Sequence, residues 1–195
     1  MAKKNKFVCI SGMPGAGKSV ISDYFVKKGY QFVRFGQLTL DEVKRRGLKP
    51  TEKNERKIRE RLRKKHGMGA FAILNYPKFK KHLRRGNVIA DGLYSWTEYK
   101  FLKEKFGKKM ILITVYAPPE LRYERISSRV MPKDDKDLRH RPFTKKEAKA
   151  RDYAEIENLD KGGPIAMADY TILNIKGVDY FLKQIKEIYE EVEKK

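Results

Sequence analysis

A single cysteine, Cys9, and three histidines are all that this 195-residue chain offers to disulfide, thiolate or zinc chemistry. One cysteine excludes an intrachain disulfide. Its place in the apolar run Phe7-Val8-Cys9-Ile10 reads it as a small buried hydrophobe and not a nucleophile. His66, His82 and His140 are scattered, without metal-ligand spacing. Long apolar runs are missing too, so nothing is fit to span a bilayer. The basic segment 1–6 leads into an apolar run too short for a signal-peptide h-region, and a cytoplasmic protein is expected. Acidic residues are few: 25 against 46 Lys and Arg, a net charge of +21. That excess calls for an anionic partner. A small phosphorylated ligand needs a few well-placed arginines, a nucleic acid a broad stripe. A lysine-rich surface without a specific partner gives the same balance. With 40% hydrophobic residues the chain has material for one core, and its length suits one domain with an inserted lobe.

What is present begins at residue 12. Gly12-Met13-Pro14-Gly15-Ala16-Gly17-Lys18-Ser19 is a complete phosphate-binding loop of the form G-x-x-x-x-G-K-S. Its glycines let backbone N–H groups close on phosphate oxygens. Lys18 is spaced to reach the β- and γ-phosphates, and the Ser19 hydroxyl to hold Mg²⁺. The flanks agree. An apolar strand-like run precedes the loop, and Val20, Ile21, Tyr24 and Phe25 follow at helical spacing up to Gly29. The nucleotide-binding set is therefore Gly12 to Val20.

Strand-like runs at 7–10, 31–35, 87–90, 110–116 and 170–174 alternate with helical segments. This pattern predicts an α/β fold with a doubly wound, five-stranded parallel sheet. Thr39-x-x-Glu42, Ser95-x-x-Glu98 and Thr144-x-x-Glu147 read as capping boxes, and Pro118-Pro119 as a helix start. Two stretches do not read as core. Within 41–65 there are twelve Lys/Arg against five Asp/Glu, a contribution of +7. Residues 131–143 carry dense charge and two prolines without periodicity, which reads as a lid-like loop.

Ligands of parallel sheets bind beyond the carboxyl ends of the strands. Asp91-Gly92, just after the third run, is placed to face the phosphate loop. Asp91 is the candidate second magnesium-side residue and could also orient an acceptor hydroxyl, while Asp23 and Asp41 fall inside helices. Arg125 and Arg129 share a helical face before the charged loop, Arg139 and Arg141 lie in it, and Arg151 follows it. Phosphoryl transfer needs positive charge around the moving group, and the arginine fork binds phosphate oxygens in pairs. Arg56, Arg59 and Arg63 share another helical face, suited to a small phosphorylated acceptor.

Together the phosphate loop, the Ile-Ala-Asp-Gly run at 89–92 and the run Ile-Ala-Met-Ala-Asp-Tyr-Thr-Ile-Leu-Asn at 165–174 resemble small P-loop nucleotide kinases, among them dephospho-CoA kinase-like proteins. The resemblance implies a single kinase domain. Its core would be 1–36, 86–130 and 144–195, its substrate lobe 37–85 and its lid 131–143. It implies ATP and Mg²⁺ as cofactors and a small nucleotide-like acceptor. Arg125 and Arg129 would lie on the nucleotide, Arg129, Arg139 and Arg141 would act on the phosphoryl group with Lys18 and Asp91, and Arg63, Gly92, Tyr94 and Arg151 would meet the acceptor. One departure stands out: Tyr94 sits where nucleoside monophosphate kinases place an arginine for the acceptor phosphate. A ribose 3′-hydroxyl acceptor of the dephospho-CoA type fits that change. The rival from another class is an NTP-dependent nucleic-acid-binding protein using the basic 41–65 surface, although no RNA-recognition, KH or helix-turn-helix signature is present and aromatics are sparse there. The sequence leaves oligomeric state and the choice of ATP over GTP open.

Overall fold

The computed structural model describes residues 5–130 and 142–195. The chain runs β1 (Phe7–Ser11), α1 (Lys18–Lys27), β2 (Gln31–Arg34), α2 (Gln37–Arg45), α3 (Glu52–His66), α4 (Ala70–Leu83), β3 (Val88–Asp91) and α5 (Trp96–Phe106). It continues through β4 (Met110–Tyr116), α6 (Pro119–Ser127), α7 (Lys145–Glu157), α8 (Gly162–Ala166), β5 (Tyr170–Leu173) and α9 (Val178–Lys194). All five expected strands form, within a residue at each end. They make one parallel sheet in the order β2-β3-β1-β4-β5. β1 lies at its centre, with Ile10 in register with Asp91 of β3 and Ile113 of β4, and Arg34 of β2 also opposite Asp91. Parallel register brings the carboxyl ends of β1, β2 and β3 to one edge, where the phosphate loop leaves β1.

Alternation along β1 divides the core. Phe7 and Cys9 face a cluster built with Val33, Phe71, Phe79 and Leu102, which puts α4 and α5 on one side of the sheet. Val8 and Ile10 face Ile21, Phe25, Phe181 and Ile185 of α1 and α9 on the other. The Phe7 ring lies 5.0 Å from Phe79 and 4.2 Å from Phe106. Burying each such ring contributes about 2 kcal/mol. Cys9 is buried, and burial pushes its thiol pKa up, as an inert hydrophobe requires.

The stretch 37–85 divides in a way its composition does not announce. α3 is mostly polar, burying Ile58 and Glu55. α4 instead buries Phe71 and Phe79 and belongs to the core. The capping boxes at Ser95 and Thr144 form in full. The one expected at Thr39 does not. The helix has already begun at Gln37 behind Gly36, so Thr39 sits inside α2, and Glu42 pairs with Arg45 and Arg46 instead.

Candidate active site

The phosphate loop bridges β1 and α1, and its shape is fixed from outside. Gly17 has φ +114°, and a Cβ there would lie 2.5 Å from Asn174 Nδ2 at the end of β5. Glycine is required twice over, for the left-handed backbone and for the close approach. Asn174 Nδ2 donates to the Ala16 carbonyl at 2.9 Å, and Arg125 donates to the carbonyl and side-chain oxygens of Asn174 at 3.2 Å. Arg122, buried on α6, donates to the Pro14 carbonyl at 3.1 Å and to Asp152 of α7 at 2.9 Å. Two arginine-centred braces thus tie down the carbonyls of Pro14 and Ala16 and fix the shape of a loop suited to an anion.

Lys18 opens α1. Its Nζ donates to the carbonyls of Gly12 at 2.8 Å and Met13 at 3.0 Å. Burial pulls its pKa down to about 7, helped by the Lys161 ammonium, while Asp91 and Glu155 oppose the drop. Ser19 is the next residue. Asp91, buried at the end of β3, lines the same cavity. Both offer hard oxygen donors. Among the described residues no cluster of three His, Cys, Asp or Glu side chains exists to cage a metal. The Ser19 and Asp91 oxygens are the donor set that could hold Mg²⁺, which keeps waters and phosphate oxygens as most of its ligands.

The cavity continues past Asp91 to a second half. Arg34 at the end of β2, Gly36 and Thr39 at the start of α2, Glu55 and Arg59 of α3, and Gly92 and Tyr94 line it. The Thr39 hydroxyl is buried and makes no hydrogen bond among the described residues. Charge here is organised as a chain of ion pairs. Lys161 Nζ lies 2.5 Å from Glu155 Oε2, and Arg151 Nε lies 2.9 Å from Glu155 Oε1. Arg151 also approaches Glu52 at 4.0 Å, and Arg59 pairs with Glu52 and, at 3.4 Å, with Glu55. Burial would raise the Glu155 pKa, but Lys161 and Arg151 hold its carboxyl far below the usual range. Burial works against the Arg151 charge as well, and Glu155 and Glu52 more than restore it.

Of the residues read from the sequence, Pro14, Gly15, Gly17, Lys18, Ser19, Asp91, Gly92, Tyr94, Arg129 and Arg151 meet in this cavity. Gly12, Met13 and Ala16 serve the loop through their carbonyls, and Val20 is partly exposed on α1. Arg125 reaches Asn174, and Arg129 lies just beyond the end of α6, so the two do not share a helical face. Arg63 is outside the cavity lining. Its guanidinium lies 5.0 Å from the ring centre of Phe71, which in turn packs on Tyr94. Arg59, one turn earlier, takes the inward position expected of Arg63, while Arg56 is exposed and pairs with Glu60 at 2.8 Å. Arg139 and Arg141, with most of the lid at 131–143, lie outside the described residues. Of the cavity-lining residues that no sequence motif marks, Arg34 was detectable, since the strand-end rule that selects Asp91 applies equally to it. Glu55, Glu155 and Lys161 carried no motif, and Thr39 carried only the pattern of a helix cap.

The comparisons agree with this architecture. Residues 8–165 match the family described as an AAA domain. A UPF0200 protein of Thermococcus onnurineus (strain NA1) is 33% identical over 187 residues, covering 95% of this chain and 97% of the relative. One from Thermococcus gammatolerans is 34% identical, covering 95% and 94%. The chain belongs to the UPF0200 family. Solved structures similar to this UPF0200 chain include shikimate kinase from Bacteroides thetaiotaomicron, with TM-score 0.57 and 14% identity over 96% of this chain and 98% of that one. A gluconokinase from Sinorhizobium meliloti follows at TM-score 0.51 and 11% identity, covering 97% and 98%. The fold is that of a P-loop nucleotide kinase.

Proposed function

We propose that this UPF0200 protein transfers the γ-phosphoryl group of ATP to a small nucleotide-like acceptor, either dephospho-CoA-like or a nucleoside monophosphate. The observation that carries the reading is the opposition of Lys18 and Ser19 to Asp91 across one cavity that runs on to Arg34, Thr39, Arg59 and Tyr94. In this scheme the loop backbone seats the phosphates, and Lys18 exchanges the carbonyls of Gly12 and Met13 for phosphate oxygens. Ser19 and Asp91 would hold Mg²⁺, which when bound neutralises phosphate charge. The attacking oxygen, the ribose hydroxyl of a dephospho-CoA-like acceptor or a phosphate oxygen of a nucleoside monophosphate, bonds to the γ-phosphorus as the bond from that phosphorus to the bridging oxygen breaks. ADP departs with the bonding pair, and where the acceptor is a hydroxyl its proton passes to Asp91 and then to solvent. Arg129 and Arg151 supply charge around the moving group, and positioning with electrostatics accounts for most of the catalysis. A screen of acceptors by ADP release tests this. Acceptor-dependent release by the parent, lost in Lys18→Ala, is the expected result.

A second reading rests on the exposed basic face of α3, where Lys53, Lys57, Arg61, Lys64 and Lys65 all face solvent. It makes the protein an NTP-dependent nucleic-acid binder. Its mark would be RNA affinity that is still measurable at physiological salt despite a steep salt dependence, since contacts to many phosphates release many counterions. Under the kinase reading, RNA binding is weak and vanishes at such salt.

A further inference from the structure

Lys161 is fully buried, yet it lines the active-site cavity. An ammonium with no exposure is costly unless it is paired, and its carboxylate partner Glu155 is buried with it. The turn that delivers it is tightly specified. Asp160, just before it, has φ +49°, the sole positive φ outside glycine among the described residues. Two residues after it, a Cβ on Gly163 would lie 2.8 Å from the Trp96 ring, which stacks on Tyr99 at 5.0 Å. The backbone N–H of Trp96 donates to the Leu159 carbonyl at 3.1 Å. The side chain so placed lines the cavity together with Lys18 and Asp91 of the donor side, and Lys161 Nζ lies 4.9 Å from the ring centre of Tyr94 on the acceptor side.

Lys18 and Lys161 thus bring two cationic side chains to the lining of one cavity, an arrangement that suits an anion between them, and in a phosphotransferase the group passing from donor to acceptor is such an anion. Resting on the kinase reading above, we propose that Lys161 is a catalytic residue that contacts the transferring phosphoryl group from the side opposite the phosphate loop, with Glu155 as the positioning residue that holds it there. Arg151, on the other oxygen of Glu155, keeps that carboxylate ionised and oriented.

The test compares the parent with Lys161→Met combined with Glu155→Gln, which removes the charge without leaving Glu155 ionised beside an empty place. Affinities for MgATP and MgADP are measured by calorimetry, and turnover by ADP release. The γ-phosphoryl group distinguishes the two nucleotides, so the double variant is expected to lose about tenfold or more in MgATP affinity and little in MgADP affinity. Turnover should fall by about a hundredfold, as when one preorganised charge donor is removed. A purely structural Lys161 would give a different pattern: Lys161→Met alone unstable, the double variant restored, and the preference for MgATP over MgADP unchanged. That result overturns the proposal. If the double variant does not melt cooperatively, Lys161→Gln, which keeps a donor for Glu155, replaces it with the same two expected results. A parent that binds neither nucleotide ends the kinase reading and this one with it. A parent that binds both while accepting no acceptor leaves the affinity ratio to decide Lys161 alone.

Discussion

The two halves of the cavity are built on opposite plans. The donor half is backbone: a glycine loop between β1 and α1, with its carbonyls tied down by Arg122 and Asn174. The acceptor half is side chains: Arg59, Glu55, Glu52, Arg151, Glu155 and Lys161 from α3, α7 and the turn after α7, holding one another by charge. A backbone site has a fixed shape and tolerates little substitution. A site of paired side chains can be retuned one residue at a time. Damage to the donor half should therefore abolish binding or turnover, and damage to Arg59, Glu55 or Glu52 of the acceptor half should change which acceptor is taken and how well.

The largest effect is expected at Lys18. Lys18→Met should reduce phosphoryl transfer by at least about a hundredfold, and it should leave the unliganded fold intact or firmer. The native pKa of about 7 lies below the ordinary lysine value of 10.5, so folding disfavours the charged form. Between those two values the unfolded chain binds the extra proton, and stability rises with pH. Melting curves of the parent should therefore gain stability relative to Lys18→Met as pH rises from 7 towards 10. Parallel curves would show that Lys18 is not desolvated in the loop.

Next comes the brace. Arg122→Met leaves Asp152 buried without its cation and the Pro14 carbonyl without its donor, a loss of about 3–5 kcal/mol by chemical denaturation. A loss below about 1 kcal/mol would mean the loop does not depend on α6.

In the acceptor half, Arg59→Met should raise the acceptor KM by about tenfold while the ATP KM stays within about twofold, because one charge-assisted contact is worth about 1.5–3 kcal/mol. Equal changes in both constants would erase the division between the halves. The smallest effect is expected at Arg56, exposed and paired with Glu60 across one helical turn. Arg56→Ala should change stability by less than about 0.5 kcal/mol and leave both KM values alone. The contrast between Arg56 and Arg59, three residues apart, tests which face of α3 looks into the site.

The same division explains what could be read from the chain. The donor half is contiguous in sequence, and each of its residues carries a backbone or charge requirement that survives out of context. Asp91 was legible because a strand end in a parallel sheet has a defined destination. The acceptor half was not, because its order depends on how α3 and α7 pack. Arg59 and Arg63 are equivalent on a helical wheel, and only tertiary packing turns the first to the cavity and the second onto Phe71. Lys161 and Glu155 are six residues apart across a helix end, a spacing that no helical or strand period marks. Thr39 misled for a related reason: its pattern fits a cap, but the backbone enters the helix two residues earlier. The core membership of α4 was hidden by the dense charge of its neighbour α3.

The most direct test is transfer of a radiolabelled γ-phosphoryl group from ATP, with parent, Lys18→Met and Arg59→Met assayed side by side on a panel of nucleoside monophosphates and dephospho-CoA. The account predicts a labelled acceptor product with the parent and none with Lys18→Met. With Arg59→Met the same product should form only at higher acceptor concentration. No labelled product from the parent with any acceptor on the panel, or equal labelling by Lys18→Met, would contradict it.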